Sequence, residues 1–432
     1  MLKILNFNQL SASEKNAVLK RVTIEEETDV RRTVVEILDK VQREGISAVI
    51  EYTKKFDGVE LSNILASPEE FENAEKELAP EAKAAFEKAA ENIREFHEMQ
   101  MEDIKNRERT ICGSRLGYKF VPIEGAAAYA PGGTAIYPSS VLMGIIPARI
   151  AGVESPMLIT PPGKNGKLHP SILFCARLAG AERVLKAGGV QGIAAAAFGL
   201  AGPPARLISG PGNKYVTAAK SILSDRGIIR MDMPAGPSEV VIIADESADP
   251  RFIAADLLSQ AEHGEDSAAV LLTNSRELAE KTAKEVERGI AERSARREMK
   301  TKSIKERSYA IIFENLSDAV EFSNEYAPEH LEICTRDPEN LFEKITSAGS
   351  VFLGHYAPVA LGDYFSGTNH VLPTNGAGKF YSGLGVDIFL KRISYQFPTK
   401  ESLKSALEPI LVMSRLEGFD QEHGHSAQVR FE

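Results

Sequence analysis

Hydrophobic positions in the first 110 or so residues recur at helical spacing. Val30, Val34, Leu38 and Val41 fall on one stripe with Glu, Asp, Arg and Lys between them, the pattern of an amphipathic helix with one buried face. Ser67-Pro68-Glu69-Glu70 adds a helix start. There Ser67 can cap free N–H groups, Pro68 suits the first helical position and Glu70 closes a capping box. From Val121 the rhythm changes. Short apolar runs at 157–160, 183–186, 206–208 and 228–231 alternate with helical stretches, and a second series follows at 240–244, 268–273, 310–313, 331–334 and 351–353. An amphipathic helix at 276–292 falls inside that second series. Such alternation builds βαβ units, so the sequence predicts an α/β fold with two Rossmann-like parallel-sheet domains. The N-terminal extension reads as helical. The small C-terminal stretch, from about Lys391, carries one helical segment at 401–415 and a polar tail too small to fold alone, so it must dock on the body or on another subunit.

Length and composition narrow the function. A chain of 432 residues exceeds one ordinary core, in keeping with two main units. Lys plus Arg number 51 against 61 Asp plus Glu, and the net charge of -10 repels nucleic acid. No apolar run is long enough for a bilayer, and residues 1–10 lack a basic stretch followed by an apolar one, so the sequence predicts a cytoplasmic protein without a membrane partner. Cys112, Cys175 and Cys334 show no Cys-x-x-Cys spacing, which argues against a disulfide framework or a thiolate zinc site.

Candidate chemistry sits in glycine clusters and histidines. Tyr129-Ala130-Pro131-Gly132-Gly133, Gly188-Gly189-Val190-Gln191-Gly192 and Ser209-Gly210-Pro211-Gly212-Asn213 lie where strands hand over to helices. Backbone N–H groups at such places suit a pyrophosphate, although no stretch completes Gly-x-Gly-x-x-Gly, and tight turns or helix caps explain the same glycines. Of eight histidines, six lie after residue 260, which directs attention to the second half. Gln260 and His263, three apart at the end of a predicted helix, can project from one face toward a metal, or simply cap a solvated helix end. Asp363 and His370 flank a glycine-containing loop. Glu329-His330 precedes an apolar strand, where adjacent side chains can point into a crevice or form a surface turn.

Together these stretches resemble histidinol dehydrogenases. The resemblance runs through YAPGGTAIYPSSVLM, KAGGVQGIAA, SGPGNKYV, AGPSEVVIIADE, ADLLSQAEH, APEHLE, FLGHYAPVALGDY, TNHVLPT and SGLGVDIFLKR, in order along most of the chain. It implies an NAD-dependent, zinc-assisted oxidation of L-histidinol, with Gln260, His263, Asp363 and His423 as zinc ligands. It further implies Glu329 and His330 as the acid/base pair, and Ser238, His370 and Glu417 as substrate contacts alongside Gln260, His263, His330, Asp363 and His423. Tyr129, Gln191 and Asn213 match positions that contact NAD. The same resemblance implies a homodimer whose C-terminal segment completes the partner's site. The resulting division has an N-terminal helical segment at 1–27, a zinc and substrate domain at 28–128 plus 238–384, an NAD-binding domain at 129–237 and a docking segment at 385–432. In LEGFDQEH, Glu417 and His423 stand six apart, one residue more than the family's pattern. Either a local bulge absorbs the extra residue, or Glu422 and His425 take the two roles. Gly125 stands where an arginine is common in the family. Two rivals share the motifs: a related zinc and NAD enzyme acting on another small polyol or a sulfonated diol, and a noncatalytic metal- and NAD-binding paralogue.

Overall fold

The computed structural model describes residues 1–19, 27–132, 135–181, 183–234 and 236–432. Gly133, Thr134 and Ala235 of the quoted motifs, and residues 20–26 of the N-terminal segment, lie outside the described residues. In chain order the strands are β1 (Lys3–Asn6), β2 (Arg107–Ile111), β3 (Ser114–Pro122), β4 (Ala126–Tyr129), β5 (Met157–Thr160), β6 (Arg183–Lys186) and β7 (Leu207–Ser209). They continue as β8 (Arg230–Met231), β9 (Glu239–Ala244), β10 (Ala268–Thr273), β11 (Tyr309–Ile312), β12 (His330–Cys334), β13 (Ser350–Leu353) and β14 (Leu390–Phe397). Two parallel sheets result, a six-stranded one in the order β1-β11-β10-β9-β12-β13 and a five-stranded one in the order β6-β5-β4-β7-β8. The α/β architecture read from the alternating pattern is therefore present.

Both faces of each parallel sheet are covered, as near-continuous apolar strands demand. On the five-stranded sheet, the helices Glu27–Glu44, Ile46–Asp57, Gly189–Ala197 and Lys214–Asp225 cover one face, and Val34, Leu38 and Val41 are fully buried among Tyr129, Ile159 and Leu185. The helices Pro68–Glu77, Pro80–Glu102, Pro138–Ile150 and Pro170–Ala179 cover the other. On the six-stranded sheet, Pro250–Ala261 and Arg276–Glu292 pack on one face, while Leu316–Tyr326 and Val18 of Ala12–Leu19 pack on the opposite one.

Packing divides the N-terminal third differently from the sequence expectation. Residues 28–128 were expected with the zinc and substrate domain, yet the helices between Glu27 and Glu102 pack on the five-stranded sheet. The periodic stripe of Val34, Leu38 and Val41 shows that a face is buried but not which sheet buries it. The expected N-terminal helical segment also contains β1, which extends the six-stranded sheet beside β11. A third, antiparallel sheet, β14-β3-β2, was not expected at all. Its strands are mostly exposed, with all five residues of β2 open to solvent, so no apolar alternation announces them. Through it the segment after Leu390 is tied to the body, and the helix Lys400–Leu416 follows. Among the described residues no helix is long and apolar enough to cross a membrane.

The capping box forms as read. Ser67 Oγ accepts the Glu70 N–H at 3.2 Å and Glu70 Oε2 accepts the Ser67 N–H at 2.7 Å. Glu70 also receives the Lys186 ammonium at 3.1 Å, joining this helix start to the end of β6. Replacing Ser67 by Ala removes an acceptor from the first turn and is expected to lower stability by about 1 kcal/mol. Urea unfolding of the variant beside wild type checks this; an unchanged midpoint would contradict the role given to the box.

Candidate active site

The order of the six-stranded sheet reverses at β9, with β10 on one side and β12 on the other. At the amino ends of these two central strands, one residue organises a buried polar cluster. The Glu239 N–H donates to Glu329 Oε2 at 2.9 Å, and the Glu239 carbonyl accepts from His330 Nδ1 at 3.2 Å. Because a carbonyl only accepts, the ring proton belongs on Nδ1, which leaves Nε2 with its lone pair. That Nε2 is buried without a hydrogen-bond partner and lies 3.9 Å from Asp363 Oδ1.

Two helices that return from the carboxyl edge of the sheet bring further groups to this place. Pro250–Ala261 carries Gln260 in its last turn, and His263 stands two residues past its end. The His263 Nδ1 donates to the Ser259 carbonyl at 3.0 Å, so its Nε2 is the free nitrogen. The short helix Val359–Tyr364 carries Asp363. His370 lies beyond it, with Nδ1 donating to the Asp363 carbonyl at 3.1 Å and Nε2 3.2 Å from Ser140 Oγ. His263 is near enough to His330 and His370 to act on both electrostatically, and the Asp363 carboxylate acts on both in the opposite sense. The side chain of Gln260 is buried. The cluster thus brings together Ser238, His263, Glu329, His330, Asp363 and His370, with Ser238 hydrogen-bonding to Glu329 and Gln260 buried three residues before His263.

Burial dominates the electrostatics. It pushes the Glu329 carboxyl well above the usual carboxylate range, and the negative charges of Glu239 and Asp363 add to the effect against the Glu239 N–H. Burial lowers His330 from the ordinary imidazole value near 6.5 to about 4, with Asp363 opposing. A neutral imidazole with a fixed tautomer is the consequence. His370 is lowered for the same reason.

The five-stranded sheet reverses between β4 and β7, and its carboxyl edge opens into a cleft of about 960 Å³. Tyr129, Pro131, Gly132, Thr160, Gly188, Gly189, Gln191, Asn213 and Asp57 are among its walls. Tyr129 Oη accepts the Gly189 N–H at 3.1 Å, Gln191 Nε2 lies 3.4 Å from Asp57 Oδ2, and Asn213 Oδ1 caps the helix Lys214–Asp225 through the N–H groups of Tyr215 and Val216. The Gln191 Oε1 is buried and unpartnered. Gly210 is required here, since its φ is +108° and an added Cβ would come 2.3 Å from the Tyr129 carbonyl oxygen. Its backbone is clamped at both ends: the N–H donates to Asp232 Oδ2 at 2.7 Å and the carbonyl accepts from Lys220 Nζ at 2.9 Å. Lys220 and Asp232 are themselves paired at 2.6 Å and fully buried.

The five-stranded sheet meets the polar cluster through its helix Pro138–Ile150. Ser140 meets His370, and Asn369 Nδ2 donates to the Met143 carbonyl at 2.8 Å while facing His97 Nε2 at 3.3 Å. Sequence reading missed Asp57, Ser140, Asn369 and the Lys220–Asp232 pair. Lys220 reads as an exposed helical lysine until the sheet beneath it is known.

Glu417 and His423 are exposed, as are Glu422 and His425, and the structure does not bring them to this cluster within one chain. Contacts of the helix Lys400–Leu416 run mainly to the turns that follow it, with Ser402 Oγ accepting from Ser114 Oγ at 2.9 Å. Just after Glu417 the backbone widens into a π-helical turn, Asp420–Gly424, that includes His423. Gly125, where the family commonly has arginine, admits no side chain in this backbone, since a Cβ would lie 2.6 Å from the Pro204 carbonyl oxygen.

The sequence model of the histidinol dehydrogenase family matches residues 20–431. The histidinol dehydrogenase of Leptospira interrogans serogroup Icterohaemorrhagiae serovar Lai is 50% identical over 416 residues, covering 96% of each chain. That of Methanosarcina mazei is 47% identical over 404 residues, covering 93% of this chain and 92% of its own. The crystal structure of histidinol dehydrogenase from Elizabethkingia anophelis superimposes with a TM-score of 0.93 at 40% identity, covering 100% of this chain and 98% of that one.

Burial raises the Cys175 and Cys334 thiols above the ordinary range, whereas Cys112 is exposed. Iodoacetamide at pH 8 is therefore expected to label Cys112 and spare the other two in the native protein, with activity retained. Peptide mass spectrometry reads the outcome; fast native labelling of Cys334 would reopen a thiol adduct as part of the chemistry.

Proposed function

The chain belongs to the histidinol dehydrogenase family, a family of oxidoreductases, and from that premise we propose that it oxidises L-histidinol through L-histidinaldehyde to L-histidine, the closing steps of histidine biosynthesis. Two NAD would be consumed per turnover and one zinc ion held per subunit. The observation that carries this reading is the buried His330 Nε2, unpartnered and beside Asp363, with Glu329 locked next to it by the same backbone residue.

The donor chemistry fits zinc. Gln260 offers a neutral oxygen, His263 an imidazole nitrogen whose partner nitrogen is already tied to a carbonyl, and Asp363 a carboxylate. Such a mixed nitrogen and oxygen shell suits zinc and disfavours softer metals. Among the described residues no group of three His, Cys, Asp or Glu side chains forms a metal site. That agrees with a set in which one chain supplies His263, Asp363 and the Gln260 amide, and His423 arrives from the partner of a homodimer with shared active sites. The π-helical turn at Asp420–Gly424 favours Glu417 and His423 over Glu422 and His425, because it absorbs the additional residue.

Bound zinc would supply positive charge that fixes the substrate's nitrogens, and NAD the capacity to accept hydride. The chain's own residues do the rest. Neutral His330 takes the alcohol proton at Nε2, in the tautomer that the Glu239 carbonyl enforces. Glu329, whose carboxylate is made a stronger base by burial, is the group that takes a proton from water when the aldehyde is hydrated. Ser238 and His370 border the substrate, and Glu417 from the partner pairs with its ammonium. Tyr129, Gln191 and Asn213 line the cleft in which NAD would lie, and the unpartnered Gln191 Oε1 offers an acceptor there.

A spectrophotometric assay with L-histidinol, NAD and zinc is expected to yield two equivalents of reduced cofactor per substrate. One equivalent would point to a simple alcohol dehydrogenase, and none to another polyol or a noncatalytic binder. Glu329→Gln is expected to slow aldehyde conversion by about 10²–10⁴-fold while sparing the first oxidation. Equal loss of both steps, read by trapping the aldehyde with semicarbazide, would remove the water-activating role. His263→Ala is expected to lose zinc on dialysis, measured by atomic absorption.

A further inference from the structure

Behind the polar cluster lies a pair of carboxyls that no step above uses. Glu332 sits in β12 two residues past His330 and is 1% exposed. Its Oε1 accepts the Val359 N–H at 3.1 Å. Val359 is the first residue of the six-residue helix Val359–Tyr364, which carries Asp363 and has Pro358 at its cap position with no side-chain cap. So short a helix has little stability of its own, and an acceptor from another element takes the place of the missing cap. The second oxygen of Glu332, Oε2, is buried without an N–H or hydroxyl donor. The Glu332 carboxyl faces that of Asp256, within hydrogen-bonding reach. Asp256 belongs to the helix Pro250–Ala261, one turn before Gln260. Two carboxyls so placed cannot both ionise, and a shared proton satisfies the pair; burial favours the same state, raising Glu332 well above the carboxylate range and Asp256 to about 6.

We propose that the Asp256–Glu332 carboxyl pair is a positioning device for the metal-binding side chains. It fastens the helix of Asp363 and the helix of Gln260 and His263 to the strand that begins with His330, and so sets the spacing of the three ligands. The inference rests on the zinc reading above. Groups that orient ligands in this way commonly govern metal affinity without touching the ion.

The test is zinc affinity of the full-length protein, measured by competition with a chromophoric chelator in the absence of substrate and NAD. Glu332→Leu is expected to weaken zinc binding by about 10–100-fold, and Glu332→Gln, which keeps an acceptor for Val359 and offers an amide N–H to Asp256, by less than about threefold. Val359→Pro deletes the donor at a first helical position that proline suits, exchanging one buried apolar side chain for another, and is expected to weaken binding comparably to Glu332→Leu. Circular dichroism and thermal unfolding of the zinc-free proteins establish that each variant is folded. Wild-type affinity in folded Glu332→Leu or Val359→Pro, or equal weakening in Glu332→Gln, overturns the inference while leaving the zinc reading intact. Loss of the fold in both Glu332→Leu and Val359→Pro also overturns it, because the pair would then belong to the general core. If the wild-type protein binds no zinc, the reading beneath it fails as well.

Discussion

The peptide group on either side of Glu239 is the constraint on which the polar cluster depends. Its N–H fixes Glu329 and its carbonyl fixes His330, so one strand end sets the position of a carboxyl and the tautomer of an imidazole. This works because β9 and β12 are parallel neighbours in the middle of the sheet, with His330 in register with Val240. Burial on both faces then keeps water from the two side chains, which is why the proton affinity of the imidazole falls and that of the carboxyl rises. Neither property belongs to the residues in isolation.

The two parallel sheets are used from opposite edges. In the five-stranded sheet the cleft opens at the carboxyl ends of the strands, at the point where strand order reverses, as expected for a dinucleotide crevice. In the six-stranded sheet the cluster forms at the amino ends, because the helices that bring Gln260, His263 and Asp363 run back from the opposite edge. The helix Pro138–Ile150 spans the gap. Its Ser140 and Met143 hold His370 and Asn369, so side chains from one half are oriented by backbone and hydroxyl groups of the other.

Much of this architecture was legible in the sequence because buried parallel strands are short apolar runs. β5, β6 and β10 match their predicted limits, and β9, β11, β12 and β13 begin one residue earlier. The exposed antiparallel sheet carries no such signal, and β1 is a four-residue edge strand without a buried position. Periodicity showed that Val34, Leu38 and Val41 face a core but was silent on which of two cores. For the candidate site, spacing suggested that Gln260 and His263 share a helix end, while the meeting of that end with Asp363 and His330 depends on contacts about 70 to 100 residues apart in sequence, which only the family resemblance anticipated. The clamp on Gly210 and the Asp256–Glu332 pair were invisible for a related reason: buried Lys, Asp and Glu read as surface residues until a fold encloses them.

The widened turn at Asp420–Gly424 bears on how such a chain end can drift over time. A π-helical turn accommodates a single inserted residue by rotating the backbone locally, so the side chains before and after it keep their mutual phase. In this chain the angular placement of His423 relative to Glu417 is therefore set by the width of the turn as well as by the number of residues between them.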